Sequence, residues 1–184
     1  MAQCALALRN PSGPYGVCEF KWIVDATGAL TLDNLGPEKR LDALNSKQQL
    51  RQFEVNAVGP ALLMKHFFPL LVSEETACYA TLSARVGSIE DNRLGGWYSY
   101  RASKAALNML IKTTAIELRR THANTKLIAL HPGTVNSHLS KPFKGEQIGR
   151  PAIDAARDML AVLNQLPLSE SGSFYSYSGE KLPW

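Results

Sequence analysis

The sequence predicts an α/β fold in which a parallel sheet is covered by helices, and two observations lead there. Short apolar runs alternate with longer stretches of helical period, and the runs are too apolar to leave one face wet. Strands apolar on both faces must be covered on both, which is the condition of a parallel sheet between helical layers. No internal repeat or low-complexity tract competes with this reading.

Taken in order, residues 1–16 hold Pro11, Gly13, Pro14 and Gly16 and read as an irregular leader, with residues 17–184 as a single domain. Residues 19–24 have strand character, and residues 25–28 supply turn chemistry. After a break at Gly36-Pro37, a helix is expected to start at Ser46, where Ser46 and Gln49 have capping-box spacing, and to run through Leu71. Pro60 should kink or split it, because proline has no amide proton and crowds the preceding turn. Residues 77–82 suit a buried strand, residues 83–96 are polar and glycine-containing, and residues 98–120 fit a long helix. Residues 126–131 form another short apolar run stopped by Pro132-Gly133, residues 153–166 are helical in period, and residues 173–177 read as a last strand.

Composition narrows the function. Of 184 residues, 45% are apolar and 20% charged, ordinary for one globular domain, and the formal charge of +4 is scattered rather than gathered into a basic tract with aromatics. A nucleic-acid surface is therefore not expected. Cys4, Cys18 and Cys78 are odd in number and form no CxxC pair, so neither a disulfide framework nor a zinc site is suggested and a reducing, cytoplasmic compartment fits. His66, His122, His131 and His138 form no ligand constellation, so no metal is expected. No signal peptide is recognisable at the start. Residues 61–72 are broken by Lys65, His66 and Pro69 and fall short of the ~18 apolar residues a membrane span needs, so no membrane role is expected.

The chemistry centres on Tyr100 and Lys104. Four residues apart on a helix, they share a face one turn from each other. An ammonium beside a phenol favours phenolate, which would draw the phenol down from about 10 toward a working pH and equip it for general acid/base catalysis. A solvated surface pair has the same spacing, so the surrounding residues decide.

Those residues are Leu82-Ser83-Ala84-Arg85-Val86-Gly87-Ser88-Ile89, then Asp91 to Trp97, running into Tyr98-Ser99-Tyr100-Arg101-Ala102-Ser103-Lys104-Ala105-Ala106-Leu107-Asn108. This pattern resembles the short-chain dehydrogenase/reductase family, and within it the C-factor-like branch. Asn56 in Phe53-Glu54-Val55-Asn56-Ala57-Val58-Gly59-Pro60 matches the family's helix asparagine, Pro132-Gly133-Thr134-Val135-Asn136-Ser137 its post-strand loop, and Gly179 to Trp184 the branch's ending. Asp25-Ala26-Thr27-Gly28 is similar to the family's N-x-x-G turn, with aspartate where asparagine is usual.

The resemblance covers residues 19–184 and implies the C-terminal part of a doubly wound, Rossmann-like fold acting on a small-molecule carbonyl or alcohol with NAD or NADP. It implies Tyr100 as acid/base, Lys104 as its modulator and ribose ligand, and Asn56 as holder of a relaying water. Gly28, Pro132, Gly133, Val135 and Ser137, together with Tyr100 and Lys104, would face the cofactor. A serine should orient the substrate oxygen. The family's position directly before x-x-G is Ala84 here, which leaves Ser83 as the choice and Ser88 as the other possibility. The helices over 46–71 and 98–120 would pack across a dimer axis, giving a homodimer or higher homo-oligomer.

One expected part is absent from the sequence. A dinucleotide's pyrophosphate is held by a glycine-rich turn between the first strand and helix. No G-x-x-x-G-x-G or G-x-G-x-x-G occurs; Gly13-Pro14-Tyr15-Gly16 has proline where amide donors are needed and no apolar strand before it. The chain is thus expected to be truncated at its N-terminus relative to the family. Two readings stay open: an NAD(P)-dependent oxidoreductase, or a non-catalytic dimerising or signalling remnant unable to bind the dinucleotide.

Overall fold

In the computed structural model, which describes residues 1–184, four strands form one sheet in the order β1-β2-β3-β4: β1 Trp22–Asp25, β2 Ala77–Leu82, β3 Thr125–His131 and β4 Ser173–Ser176. Every pairing is parallel, so the C-terminal ends of all four strands lie along one edge. The helices are α1 Ala2–Ala7, α2 Ser46–Phe53, α3 Gly59–Phe67, α4 Tyr98–Thr121, α5 Gly145–Ile148 and α6 Ala152–Gln165. No helix is long and apolar enough to cross a membrane.

The strands are apolar on both sides because both sides are covered. Side chains alternate across a strand, and in β2 Ala77 and Tyr79 enter one core while Cys78 and Ala80 enter the other. The first core joins them to Met64 and Phe68, to Leu107 and Ile111 of α4, and to Phe174 of β4. The second joins Ile128, Leu130 and Tyr175 to Val162 and Leu163 of α6. The expected α/β class and alternation are therefore present, with strand ends differing by a few residues.

Lys126 is the second residue of β3 and is buried, where a free ammonium would be costly. Its Nζ donates to the carbonyls of Leu163 at 2.7 Å and Leu166 at 2.5 Å, satisfying orphan acceptors at the end of α6.

Three local expectations need correction. Residues 1–16 are not wholly irregular: Ala2–Ala7, rich in strong helix formers, winds into α1, buries Ala5 and packs against α3. The cap of α2 is Asn45, not Ser46. Asn45 is extended and its Oδ1 accepts from the Gln48 amide at 3.0 Å, which puts Ser46 inside the helix. The 46–71 helix is split one turn before the expected place: a π-helical turn over Glu54–Val58 precedes α3, with the Gly59 amide donating to the Glu54 carbonyl five residues back. Pro60 has no amide to return to Asn56, so the i→i−4 ladder cannot run through this turn and the wider spacing accommodates the gap.

The C-terminal residues tie the sheet to the loop after β2. Leu182 N donates to Phe174 O at 2.8 Å, the Trp184 ring stacks on Phe174 with centroids 5.6 Å apart, and the Trp184 carbonyl accepts from Ile89 and Glu90, each at 3.1 Å. Phe174 thus joins the first core to the C-terminal residues. Phe174→Ala is expected to destabilise the fold by ~3–5 kcal/mol through the cavity it leaves, read as a lower urea midpoint with an unchanged m-value.

Candidate active site

Helix α4 starts without a cap from its own chain neighbour. Trp97, at φ 53° and ψ 41°, sits in the left-handed region and offers no side-chain acceptor. Glu38 supplies it instead: its carboxylate accepts the Ser99 amide at 3.1 Å and the Ser99 hydroxyl, and its carbonyl accepts the Trp97 amide. A carboxylate suits the positive end of a helix. Sequence reading passed over Glu38, because nothing local connects it to a partner sixty-one residues away; the only signal was an acidic residue directly after the Gly36-Pro37 turn.

The other side of α4 is set by Gly87. A Cβ there would lie 2.8 Å from Lys104 Cβ and 2.9 Å from the Lys104 carbonyl carbon, so only glycine lets this loop lie against the helix. Between these two contacts, Tyr100 and Lys104 are buried, 6% and 3% exposed. Both are brought to the C-terminal edge of the sheet, where Lys104 Nζ donates to the Leu82 carbonyl at the end of β2, 2.9 Å away.

Asn56, fully buried in the π turn, completes the cluster. Its Oδ1 accepts from Ala29 N at 2.8 Å, and its Nδ2 donates to Ala29 O at 2.8 Å, Gln52 Oε1 at 2.6 Å and Ser103 Oγ at 3.3 Å. Gln52 adds a bond from Nε2 to Leu30 O at 2.8 Å. Together they clamp the strap that leaves β1. That clamp presses Gly28 into the site: at φ 150°, its notional Cβ would be 3.2 Å from Lys104 Nζ and 3.3 Å from Asn56 Oδ1. Lys104, Asn56 and Gly28 therefore meet in one cluster, with Tyr100 buried one turn before Lys104 on α4.

The electrostatics run against the expectation for Tyr100. Burial pushes its phenol up to about 12, and Lys104 does not draw it down. Burial likewise pulls Lys104 down to about 8, opposed by the negative charge of Asp25. The physical reason is that burial disfavours the charged form of each group, phenolate in one case and ammonium in the other.

The serines are placed otherwise. Ser83 Oγ donates to Asn108 Oδ1 at 2.6 Å, two turns of α4 or ~12 Å along the axis beyond Tyr100. Ser88 Oγ donates to the Trp184 carbonyl at 3.2 Å and accepts the Asp91 amide at 3.0 Å. Ala84, extended at φ −144°, offers no hydroxyl. Neither serine is directed at the Tyr100 phenol by its bonds.

The loop after β3 forms the neighbouring wall. Gly133, at φ 75°, lies against Tyr177, where a Cβ would come 2.6 Å from the ring. Val135 pairs with Arg150: Arg150 N donates to Thr134 O at 3.0 Å and Asn136 N to Arg150 O at 2.9 Å. The Ser137 amide donates to Ser140 Oγ at 3.2 Å, so Pro132, Gly133, Val135 and Ser137 follow a fixed path from the end of β3.

A nicotinamide riboside fits these residues in part. Lys104 uses one of its three donors on Leu82, and Asp25 Oδ2 is buried without a partner, which leaves polar capacity beside Lys104. The pyrophosphate half has no glycine-rich turn in this sequence to receive it.

A parallel sheet with a buried Tyr-x-x-x-Lys helix at its C-terminal edge defines a Rossmann-like protein of the kind that binds ligands in that crevice. Residues 22–147 match the short chain dehydrogenase family. The chain is 37% identical over 134 residues to the C-signal of Myxococcus xanthus, covering 73% of this chain and 77% of that one. It is 33% identical over 162 residues to the 1-hydroxy-2-glutathionyl-2-methyl-3-butene dehydrogenase of a Rhodococcus species, covering 88% and 67%. Among solved structures it superposes on the carbonyl reductase Sniffer of D. melanogaster with a TM-score of 0.81 at 22% identity, covering 100% of this chain and 73% of that one. On the NADPH-bound carbonyl reductase from chicken fatty liver the TM-score is 0.78 at 25% identity, covering 100% and 70%. The chain belongs to the short-chain dehydrogenase/reductase family, in its C-factor-like branch.

Gly87→Ala tests the geometry of this site. The added methyl must displace Lys104 or the loop, so the melting temperature is expected to fall by several degrees, ~1–3 kcal/mol of overpacking, whereas Gly36→Ala, with open space around its Cβ, should leave it nearly unchanged.

Proposed function

We propose that this chain reduces small-molecule carbonyls with NADH or NADPH, with Tyr100 as proton donor. The observation that supports the reading best is the burial of the Tyr100 phenol and the Lys104 ammonium on one face of α4, at the edge where a parallel sheet receives its ligands. When bound, the nicotinamide would supply hydride to the carbonyl carbon. Tyr100 gives its proton to the developing alkoxide, and a phenol near 12 is in the required protonated state at neutral pH. Lys104 holds the ribose hydroxyls with its unspent donors and returns a proton toward the phenolate, and Asn56 fixes the strap beside it.

A homodimer is part of the proposal. Leu50, Val58 and Leu62 on the α2–α3 side and Met109 and Ile116 on α4 are large, apolar and exposed, which is the composition of a covered surface.

The non-catalytic reading draws support from one feature: the Ser83 hydroxyl is engaged with Asn108 and Ala84 has none to offer. Nucleotide binding separates the two. Titration with NADH and NADPH, followed by nucleotide fluorescence, is expected to give saturable binding with a rise in melting temperature, since a ligand held only by the folded state stabilises it. No binding up to millimolar nucleotide in a folded sample would leave the non-catalytic reading.

Two further outcomes are expected of the enzyme. Tyr100→Phe should lower kcat by about 10²–10⁴ with nucleotide affinity unchanged within about threefold; a variant as fast as the parent would remove Tyr100 from the chemistry. The reduction rate should fall as pH rises through about 8, where Lys104 loses its proton.

A further inference from the structure

Asp25 is the last residue of β1 and 5% exposed, yet only half of its carboxylate is used. Oδ1 accepts from the Thr27 amide at 2.9 Å and the Thr27 hydroxyl at 2.6 Å. Oδ2 is buried and accepts nothing. An unpartnered carboxylate oxygen in the interior is costly unless a positive charge lies within reach.

The fold brings one to the same strand ends, beyond ion-pair contact. Asp25 is the register partner of Thr81 on β2, and the next residue along, Leu82, gives its carbonyl to Lys104 Nζ. From the other direction, the turn that Asp25 Oδ1 organises leads to Gly28, whose Cα edge abuts Lys104 Nζ. Thus the carboxylate and the ammonium are held at neighbouring strand ends without direct ion-pair contact, and the negative charge of Asp25 opposes the loss of the Lys104 proton.

We propose that Asp25 is the buried counter-charge of Lys104, a positioning residue that keeps the ammonium protonated inside a site that otherwise expels its charge. This rests on the reading of Lys104 as the ribose and proton-relay group and gives this chain's departure from the family's asparagine a role. An asparagine keeps an acceptor for Thr27 but brings no charge, so the turn and the electrostatic effect can be separated by substitution.

The groups that face this pair are few. Tyr79 on β2, raised by burial first and by Asp25 second, remains a neutral phenol through the neutral and mildly alkaline range, as does Tyr100 on α4. Asn56 and Ser103, from the π turn and α4, carry no charge. Between pH 6.5 and 9.5, then, Lys104 is the member of this cluster whose charge changes, from ammonium below about 8 to neutral amine above it.

The test is a double-mutant cycle in melting temperature with Asp25→Asn and Lys104→Met, at pH 6.5 and pH 9.5. At pH 6.5 the double variant is expected to lose about 2–4 °C less than the sum of the two single variants, and at pH 9.5 the difference should vanish. Additivity at both pH values overturns the proposal, as does the same non-additivity at both, which would mark a packing effect. If Asp25→Asn fails to fold, Asp25→Ser, which also offers Thr27 an acceptor, replaces it in the cycle. The readout needs no catalysis, so an inactive enzyme would overturn the proposed function without touching this result, and an additive cycle in an active enzyme would do the reverse.

Discussion

The hydrogen bond from Lys104 Nζ to the Leu82 carbonyl is the constraint around which the rest of the site is arranged. Burying an ammonium is expensive, and the surroundings are built to reduce that cost. Gly87 and Gly28 make room for the side chain, the π turn sets Asn56 at its side, and Glu38 holds the start of α4 so that the lysine arrives at the strand end. A bond between a helix and a sheet edge thereby fixes the position of a phenol one turn away.

The same enclosure explains why the phenol and the ammonium shift in opposite directions. Removing water disfavours whichever form is charged, so the tyrosine holds its proton more firmly and the lysine less. For the reduction proposed above, a protonated phenol is the form that can give a proton to an oxygen that becomes negative.

Much of this was legible in the sequence because periodicity and motif order are local properties. The apolar runs became β1 to β4, and Lys104, Asn56 and Gly28, drawn from three separate stretches of chain, meet in one cluster. What was not legible depends on three-dimensional competition. The capping-box spacing of Ser46 and Gln49 was genuine, but Asn45 stood one residue earlier in extended conformation and took the cap. The effect of Lys104 on Tyr100 was inferred from spacing alone, and burial, which spacing does not reveal, sets the direction of both groups instead. Ser83 stood in the right stretch of chain, but its direction depends on Asn108, on another element. Glu38 had no local signature of its role.

Lys126 has a consequence for how the molecule assembles. Its ammonium crosses the second core to reach the last carbonyls of α6, so β3 and α6 cannot be completed independently. A form with the sheet closed and α6 undocked would leave Ile128, Leu130 and Tyr175 uncovered and give up both Lys126 bonds, and a form with α6 docked on an unpaired β3 would lose the strand that aims the lysine. Sheet closure and helix docking thereby favour one another, which disfavours states that expose an apolar sheet face to other chains.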